Sequence, residues 1–142
     1  MKKYRNLLLL VAIIILTGCS TNSEIDLTCT KIYDDNSEQI FYYSFESDKV
    51  YSIKITLTIP ETEMSGVESY KTEFLKINDV DGCNGSFITN EDNSFTTIQS
   101  CELSKMSDSS IKSLFLIDRE AIEISRKEVI ANYYIDSQVT CN

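Results

Sequence analysis

The sequence contains no histidine and no tryptophan, and it has only one proline and four glycines. Without histidine, Ser-His-Asp and Cys-His nucleophilic catalysis and the usual zinc hydrolases are excluded. So few glycines also exclude a glycine-rich phosphate loop or a collagen-like repeat. A pair of carboxylates would still suffice for glycoside hydrolysis, but none of the 22 acidic residues stands out from the others. We therefore predict no catalytic residue and no cofactor.

Two short acidic segments have part of the pattern of a calcium loop. Asp34–Glu38 has oxygen-bearing side chains at alternate positions, but Gln39 follows where such a loop needs glycine. Asp79–Gly82 places its glycine two positions too early. We interpret both segments as turns. The cysteines lack a C-x-x-C spacing as well as any histidine partner, so no metal site is predicted.

The N-terminus has the pattern of a secretory signal. Lys2, Lys3 and Arg5 precede an unbroken apolar run, Leu7–Leu16. A permanent transmembrane helix needs ~20 apolar residues, so the run is too short to be one. A buried core helix is also disfavoured, because no polar residue interrupts the run to form a solvated face.

The apolar run ends in Leu16-Thr17-Gly18-Cys19, which resembles the lipobox of bacterial lipoproteins. The resemblance implies cleavage between Gly18 and Cys19 and attachment of diacylglycerol to the Cys19 thiol. Each buried methylene contributes ~0.8 kcal/mol, so two or more acyl chains would hold the protein durably on a membrane. We expect a protein of the cell envelope, anchored by lipid to the extracytoplasmic face of a membrane.

The expected organisation is a signal peptide at 1–18, a lipidated cysteine and short tether at 19–24, and one extracytoplasmic domain at 25–142. Three of the 13 cations leave with the signal peptide, so the side-chain charge falls from −9 to −12. This acidity excludes nucleic acid as a partner. The negative charge either keeps the protein soluble and repels it from the membrane, or it forms a surface that binds a cationic partner.

Alternating apolar residues predict three strands at 25–33, 39–46 and 51–59, joined by short turns into an antiparallel meander with one buried face. A hairpin is predicted over 83–101. The segment 137–141 is expected to return as a last strand.

Three helices are predicted between and after these strands. The first begins at the capping box Ser65-x-x-Glu68. Its apolar stripe consists of Val67, Tyr70, Phe74 and Ile77. A short helix is predicted over 107–117. The last helix begins at a second capping box, Ser125-x-x-Glu128, and is expected to bury Val129, Ile130 and Tyr133. The predicted fold class is α+β: an antiparallel sheet packed by an amphipathic helix, with a helical C-terminal part.

Four cysteines remain beyond Cys19, and outside the cytoplasm they predict two disulfides. A hairpin centred on Asp92 places Cys83 opposite Cys101, while Cys29 lies on the apolar phase of its strand. We therefore predict the pairs Cys83–Cys101 and Cys29–Cys141. The alternative is four buried free thiols.

The order of elements resembles small bacterial lipoproteins of the YehR-like kind. The most specific stretch is 124–130 followed by Val139-Thr140-Cys141, which is similar to the ending of those proteins. The resemblance implies the fold and a lipid anchor, and it carries no activity to any residue.

Three hypotheses for function follow. The leading one is a lipid-anchored, non-catalytic envelope domain that binds or supports another cell-surface component, through an exposed apolar or acidic patch. The alternative is an acidic, inhibitor-like module that captures a cationic secreted hydrolase, whose binding would weaken as salt rises. The third is a carboxylate-dependent envelope enzyme, which needs two acids facing one cleft.

Overall fold

The computed structural model describes residues 26–60, 66–134 and 138–142. The six strands are β1 Leu27–Ile32, β2 Glu38–Glu46, β3 Lys49–Ile59, β4 Cys83–Thr89, β5 Phe95–Glu102 and β6 Val139–Cys141. The helices are α1 Val67–Phe74, α2 Asp108–Phe115, α3 Arg119–Ile122 and α4 Arg126–Tyr134, with 3-10 turns at Leu75–Asp79 and Leu103–Lys105. This is the predicted α+β class. The predicted signal peptide, lipobox and tether lie outside the described residues.

All six strands form one antiparallel sheet in the order β4-β5-β3-β2-β1-β6. The predicted meander β1-β2-β3 is confirmed, and so is the hairpin β4-β5. Ser47 and Asp48 join β2 to β3 with φ angles of 51° and 61°. Two successive positive φ angles match the twist of a two-residue hairpin turn, which explains the tight connection.

The two predicted disulfides are present, and each joins directly opposed residues of neighbouring strands. Cys29 lies opposite Cys141 in the β1-β6 pair, and Cys83 lies opposite Cys101 in the β4-β5 pair. Both S–S distances are 2.05 Å. The first bond fastens the C-terminal strand to the sheet edge at β1.

The first helix is shorter than predicted. Gly66, at φ 85°, precedes α1 without any side-chain cap, and the predicted cap Ser65 lies outside the described residues. Within the predicted stripe only Ile77 is buried, and Tyr70 is 38% exposed. Ile77 belongs to the 3-10 turn that packs on β4, and that contact accounts for its burial.

The last helix begins as predicted. The Ser125 backbone N–H donates to the Glu128 carboxylate at 2.8 Å, and the Glu128 N–H donates to Ser125 Oγ at 3.3 Å. Val129 is buried and Tyr133 is half-buried. The prediction that Ile130 is buried is wrong, since it is 39% exposed. One residue turns a helix by about 100°, so the position after a buried Val129 faces away from the sheet.

The core lies between one face of the sheet and the helices. Its most deeply buried large side chains come from four different elements of the fold: Leu27, Val50, Leu103 and Ile111. Within the described ranges, no helix is both long and apolar enough to span a membrane.

Candidate functional site

A partly open cleft of about 240 Å³ lies between the sheet and the C-terminal helices. Its floor consists of two cross-strand pairs of β2 and β3, Phe41 opposite Ile55 and Tyr43 opposite Ile53. These residues share one face of the sheet because side chains alternate along a strand. The wall comes from α2, α3, α4 and the loops between them: Phe115, Ile117, Ala121, Ile122, Ile124, Val129, Asn132 and Tyr133.

Three aromatic rings pack together in the cleft. The Tyr133 ring lies 5.6 Å from that of Phe41 and 6.4 Å from that of Tyr43, measured between centroids. The Phe41 and Tyr43 rings are stacked at 6.4 Å. Such pairs add ~0.5–1.5 kcal/mol each beyond their burial. This contact therefore holds α4 against the sheet.

The hydroxyl groups of Tyr43 and Tyr133 form a hydrogen bond of 2.7 Å. Burial raises the pKa of Tyr43, and the adjacent Tyr133 raises it further. Burial also raises the pKa of Tyr133, although the hydrogen bond with Tyr43 partly opposes that rise. Both hydroxyls are therefore protonated at neutral pH and act as uncharged donors or acceptors.

Arg119 fixes the α3 part of the wall. Its guanidinium donates to the carbonyl oxygens of Leu103 at 3.0 Å and Met106 at 2.7 Å. The same group pairs with the carboxylates of Asp108 and Glu123. Because these partners belong to different segments, the single side chain ties α3 to the start of α2 and to the 3-10 turn after β5.

Two exposed apolar side chains follow α2, and the second of them lines the cleft. Leu116 ends α2 in the left-handed conformation, at φ 60°, and is 85% exposed. Its neighbour Ile117 is 40% exposed and lines the cleft. A left-handed residue with a side chain costs roughly 1–2 kcal/mol, which glycine would avoid. Leu116 therefore combines a strained backbone with an exposed apolar side chain, and it directly precedes a residue that lines the cleft.

No carboxylate, ammonium or guanidinium group is among the described residues that line the cleft. The same part of the chain holds no cluster of three potential metal ligands. Cys29, Cys83, Cys101 and Cys141 all form disulfides between neighbouring strands, as predicted. Cys19 and Gly18 lie outside the described residues, so the predicted lipidation and cleavage positions stay predictions.

Comparison with known proteins concerns the fold. No protein-family model matches the chain. No curated protein matches it. An NMR structure of a protein from Streptococcus pneumoniae matches with a TM-score of 0.57 and 14% identity, over 82% of this chain and 84% of that one. The NMR structure of the Escherichia coli YehR protein matches with a TM-score of 0.58 and 10% identity, over 80% of this chain and 89% of that one.

The chain has a YehR-like fold. This supports the resemblance seen in the order of elements, and at 10–14% identity it concerns the fold alone.

The sequence pattern predicts that Val129 and Tyr133 are buried, but it does not indicate a cleft. The period of the strand predicted at 39–46 places Phe41 and Tyr43 on the same face. The strand and helix periods show which face a residue occupies, and they do not show whether two packed faces leave space between them. The shared phase of two aromatic residues in β2 and one in α4 was the available signal.

Proposed function

We propose that this protein is a lipid-anchored, non-catalytic envelope protein whose folded domain binds another cell-surface component through the cleft. The observation that carries the proposal is the cleft itself, with its apolar lining and the partly exposed lining residue Ile117. Concave apolar sites with a few polar groups are the usual binding sites of proteins. Exposed apolar patches on a soluble domain commonly mark interaction surfaces.

The N-terminal sequence supports the location. A basic start, the apolar run Leu7–Leu16 and the lipobox ending at Cys19 together favour export and lipid attachment. A short tether would then keep the domain close to the membrane, where other envelope components lie. Lipid on Cys19 and an extracytoplasmic position are parts of this proposal.

Binding is favoured over the two alternatives. A carboxylate-dependent glycosidase needs two acids ~5–9.5 Å apart across the substrate, and no carboxylate is among the described lining residues. The inhibitor-like alternative needs an acidic surface that attracts a cationic hydrolase. No acidic residue is among the described residues that line the cleft, so the cleft does not support it. The apolar cleft gives the binding proposal a defined surface.

The binding role of the cleft can be tested with a variant that fills the cleft with a larger side chain. Ala121 lines the cleft on α3, whereas Ala131 is exposed on α4 and is not among the lining residues. The full chain and the variants Ala121→Phe and Ala131→Phe would be expressed in the native host and crosslinked in intact membranes. Components captured by the wild type should be lost with Ala121→Phe and retained with Ala131→Phe.

Thermal unfolding of both variants would confirm that they fold. Equal capture by wild type and Ala121→Phe, with both folded, would show that the cleft is not the binding surface. Recovery of Ala121→Phe from the soluble fraction would instead point to an effect on export.

A further inference from the structure

One of the two tyrosine O–H groups in the cleft does not donate within the Tyr43–Tyr133 pair, because a single hydrogen bond joins the two hydroxyls. Each phenol carries a single donor proton, and only one of the two can lie between the Tyr43 and Tyr133 oxygens, which are 2.7 Å apart. Within the described ranges, neither hydroxyl has another hydrogen-bond partner. Both tyrosines line the cleft, so the second O–H remains for water or for a ligand there.

The rest of the lining is uncharged. Apart from the hydroxyls of the two tyrosines and the side-chain amide of Asn132, the described lining side chains are entirely apolar. An ionised ligand group placed among them would lose hydration, and no described lining residue offers it an opposite charge, which is strongly unfavourable. The positive charge of Lys31 acts on Tyr133, but Lys31 is not among the lining residues and its ammonium lies over the Tyr33 ring. The net charge of −9 adds repulsion for an anion. The cleft therefore suits an uncharged ligand.

The volume limits the size of that ligand. An apolar cavity of ~150 Å³ is enough to bind benzene, and the cleft, at about 240 Å³, is larger than that. Its volume lies below the ~300–1,000 Å³ of typical pockets for drug-sized molecules. One aromatic ring with a short substituent fills such a space, and the three rings around Tyr133 offer it edges and faces to pack on.

We propose that the cleft binds a small, uncharged apolar ligand, or ligand moiety, that carries one oxygen acceptor, and that the hydroxyl pair of Tyr43 and Tyr133 donates a hydrogen bond to that oxygen. This inference rests on the proposed function, because it takes the cleft as the binding site. It adds the chemistry that the cleft selects: an apolar body, a carbonyl-like oxygen and no charge.

Three probes with the same heavy-atom skeleton test this selection. Acetophenone has a carbonyl oxygen, cumene has a methyl group in its place, and benzoate has a carboxylate. Each would be titrated into the full chain, and the backbone amide signals of Ala121 and Asn132 would be followed by NMR. The preference for acetophenone, defined as the cumene Kd divided by the acetophenone Kd, should be about three- to ten-fold higher for the wild type than for a variant without the two hydroxyls, the contribution of one hydrogen bond. Benzoate should bind most weakly.

The double variant Tyr43→Phe, Tyr133→Phe isolates the hydroxyl pair. It keeps both rings, and it removes donor and acceptor together, so no buried hydroxyl loses its partner. The variant should bind cumene as the wild type does and should bind acetophenone about three- to ten-fold more weakly than the wild type does. Tyr70→Phe, in α1 and not among the lining residues, is the matched control and should keep the preference.

The proposal is wrong if the double variant binds acetophenone as tightly as the wild type does, or if benzoate binds best. It is also wrong if none of the probes shifts the Ala121 and Asn132 signals. If that occurs while Ala121→Phe still abolishes partner capture, the proposed function stands without this ligand chemistry. If the acetophenone preference is found but Ala121→Phe captures partners normally, the ligand proposal stands and the partner-binding role fails.

Discussion

Gly85 in β4 lies where the fold has no room for a side chain. A Cβ at this position would be 2.2 Å from Ile77 Cγ2 and 3.2 Å from Phe74 Cε1. The Gly85 N–H donates to Asn78 Oδ1 at 2.7 Å, and Asn78 Nδ2 donates to the Gly85 carbonyl at 3.2 Å. The Asn78 amide thus occupies hydrogen-bonding groups of an edge strand that would otherwise be open to pairing with another chain.

Gly85→Ala is therefore expected to destabilise the domain. Ile77 is only 6% exposed, so it cannot move aside without disturbing its own packing. Overpacking of this kind costs ~1–3 kcal/mol, and each hydrogen bond lost from Asn78 adds ~0.5–1.5 kcal/mol. Alanine has fewer backbone conformations than glycine in the unfolded state, which raises the free energy of unfolding by ~0.4–1 kcal/mol and partly offsets these losses. We expect a net loss of about 2 kcal/mol in the free energy of unfolding, dominated by overpacking.

A double-mutant cycle in denaturant identifies the cause. Ile77→Ala alone should cost ~2–5 kcal/mol through the cavity it leaves. Because this change also removes Cγ2, the double variant should be more stable than the sum of the single effects predicts, by ~1 kcal/mol or more. Gly66→Ala is the control, since a Cβ there meets nothing within 4 Å and only its φ of 85° is unfavourable. Strict additivity of Gly85→Ala and Ile77→Ala would refute the contact.

Three further predictions address the anchor, the first disulfide and the tyrosine pair. Cys19→Ala should leave an unprocessed precursor without lipid label, and mass spectrometry of the wild type showing an intact Met1 with unmodified Cys19 would contradict this. The Cys29–Cys141 bond spans 112 positions, so Cys141→Ser should lower the free energy of unfolding by ~2–5 kcal/mol and lower Tm. Non-reducing peptide mapping that finds free thiols at these positions in envelope material would contradict the disulfide. Burial raises the pKa of Tyr43 above its ordinary 10.0, so the unfolded state releases protons first and the free energy of unfolding should fall as pH rises above 10. The double variant Tyr43→Phe, Tyr133→Phe should lose less stability over that range, and equal pH slopes in denaturant titrations would oppose this explanation.

Local physical chemistry made much of the fold predictable. Side chains alternate along a strand, so the apolar phase of residues 51–59 identified β3 and its buried face without reference to any partner. The Ser125–Glu128 capping box is likewise local, because it needs only four consecutive residues to satisfy the first amides of α4. The Cys83–Cys101 pair followed from counting outward from the turn at Asp92, since a hairpin sets its own register.

Other features depended on how distant segments pack. That β5 lies beside β3 is not encoded in either strand's own period, because an alternating strand can pair with any other. The place of β6 beside β1 was indicated only by the predicted Cys29–Cys141 pair. The short helix α3 has too few residues to show a period, and its place depends on the contacts of Arg119 with carbonyls of another segment.

The cleft is the clearest case of this dependence. The sequence alone determined that Tyr43 and Tyr133 face inward, because that follows from the period of each element. Only the tertiary structure brought their hydroxyls to 2.7 Å and left a space of about 240 Å³ beside them. Whether two apolar faces meet fully or leave a cavity depends on side-chain volumes summed over elements far apart in the chain, and no local pattern contains that sum.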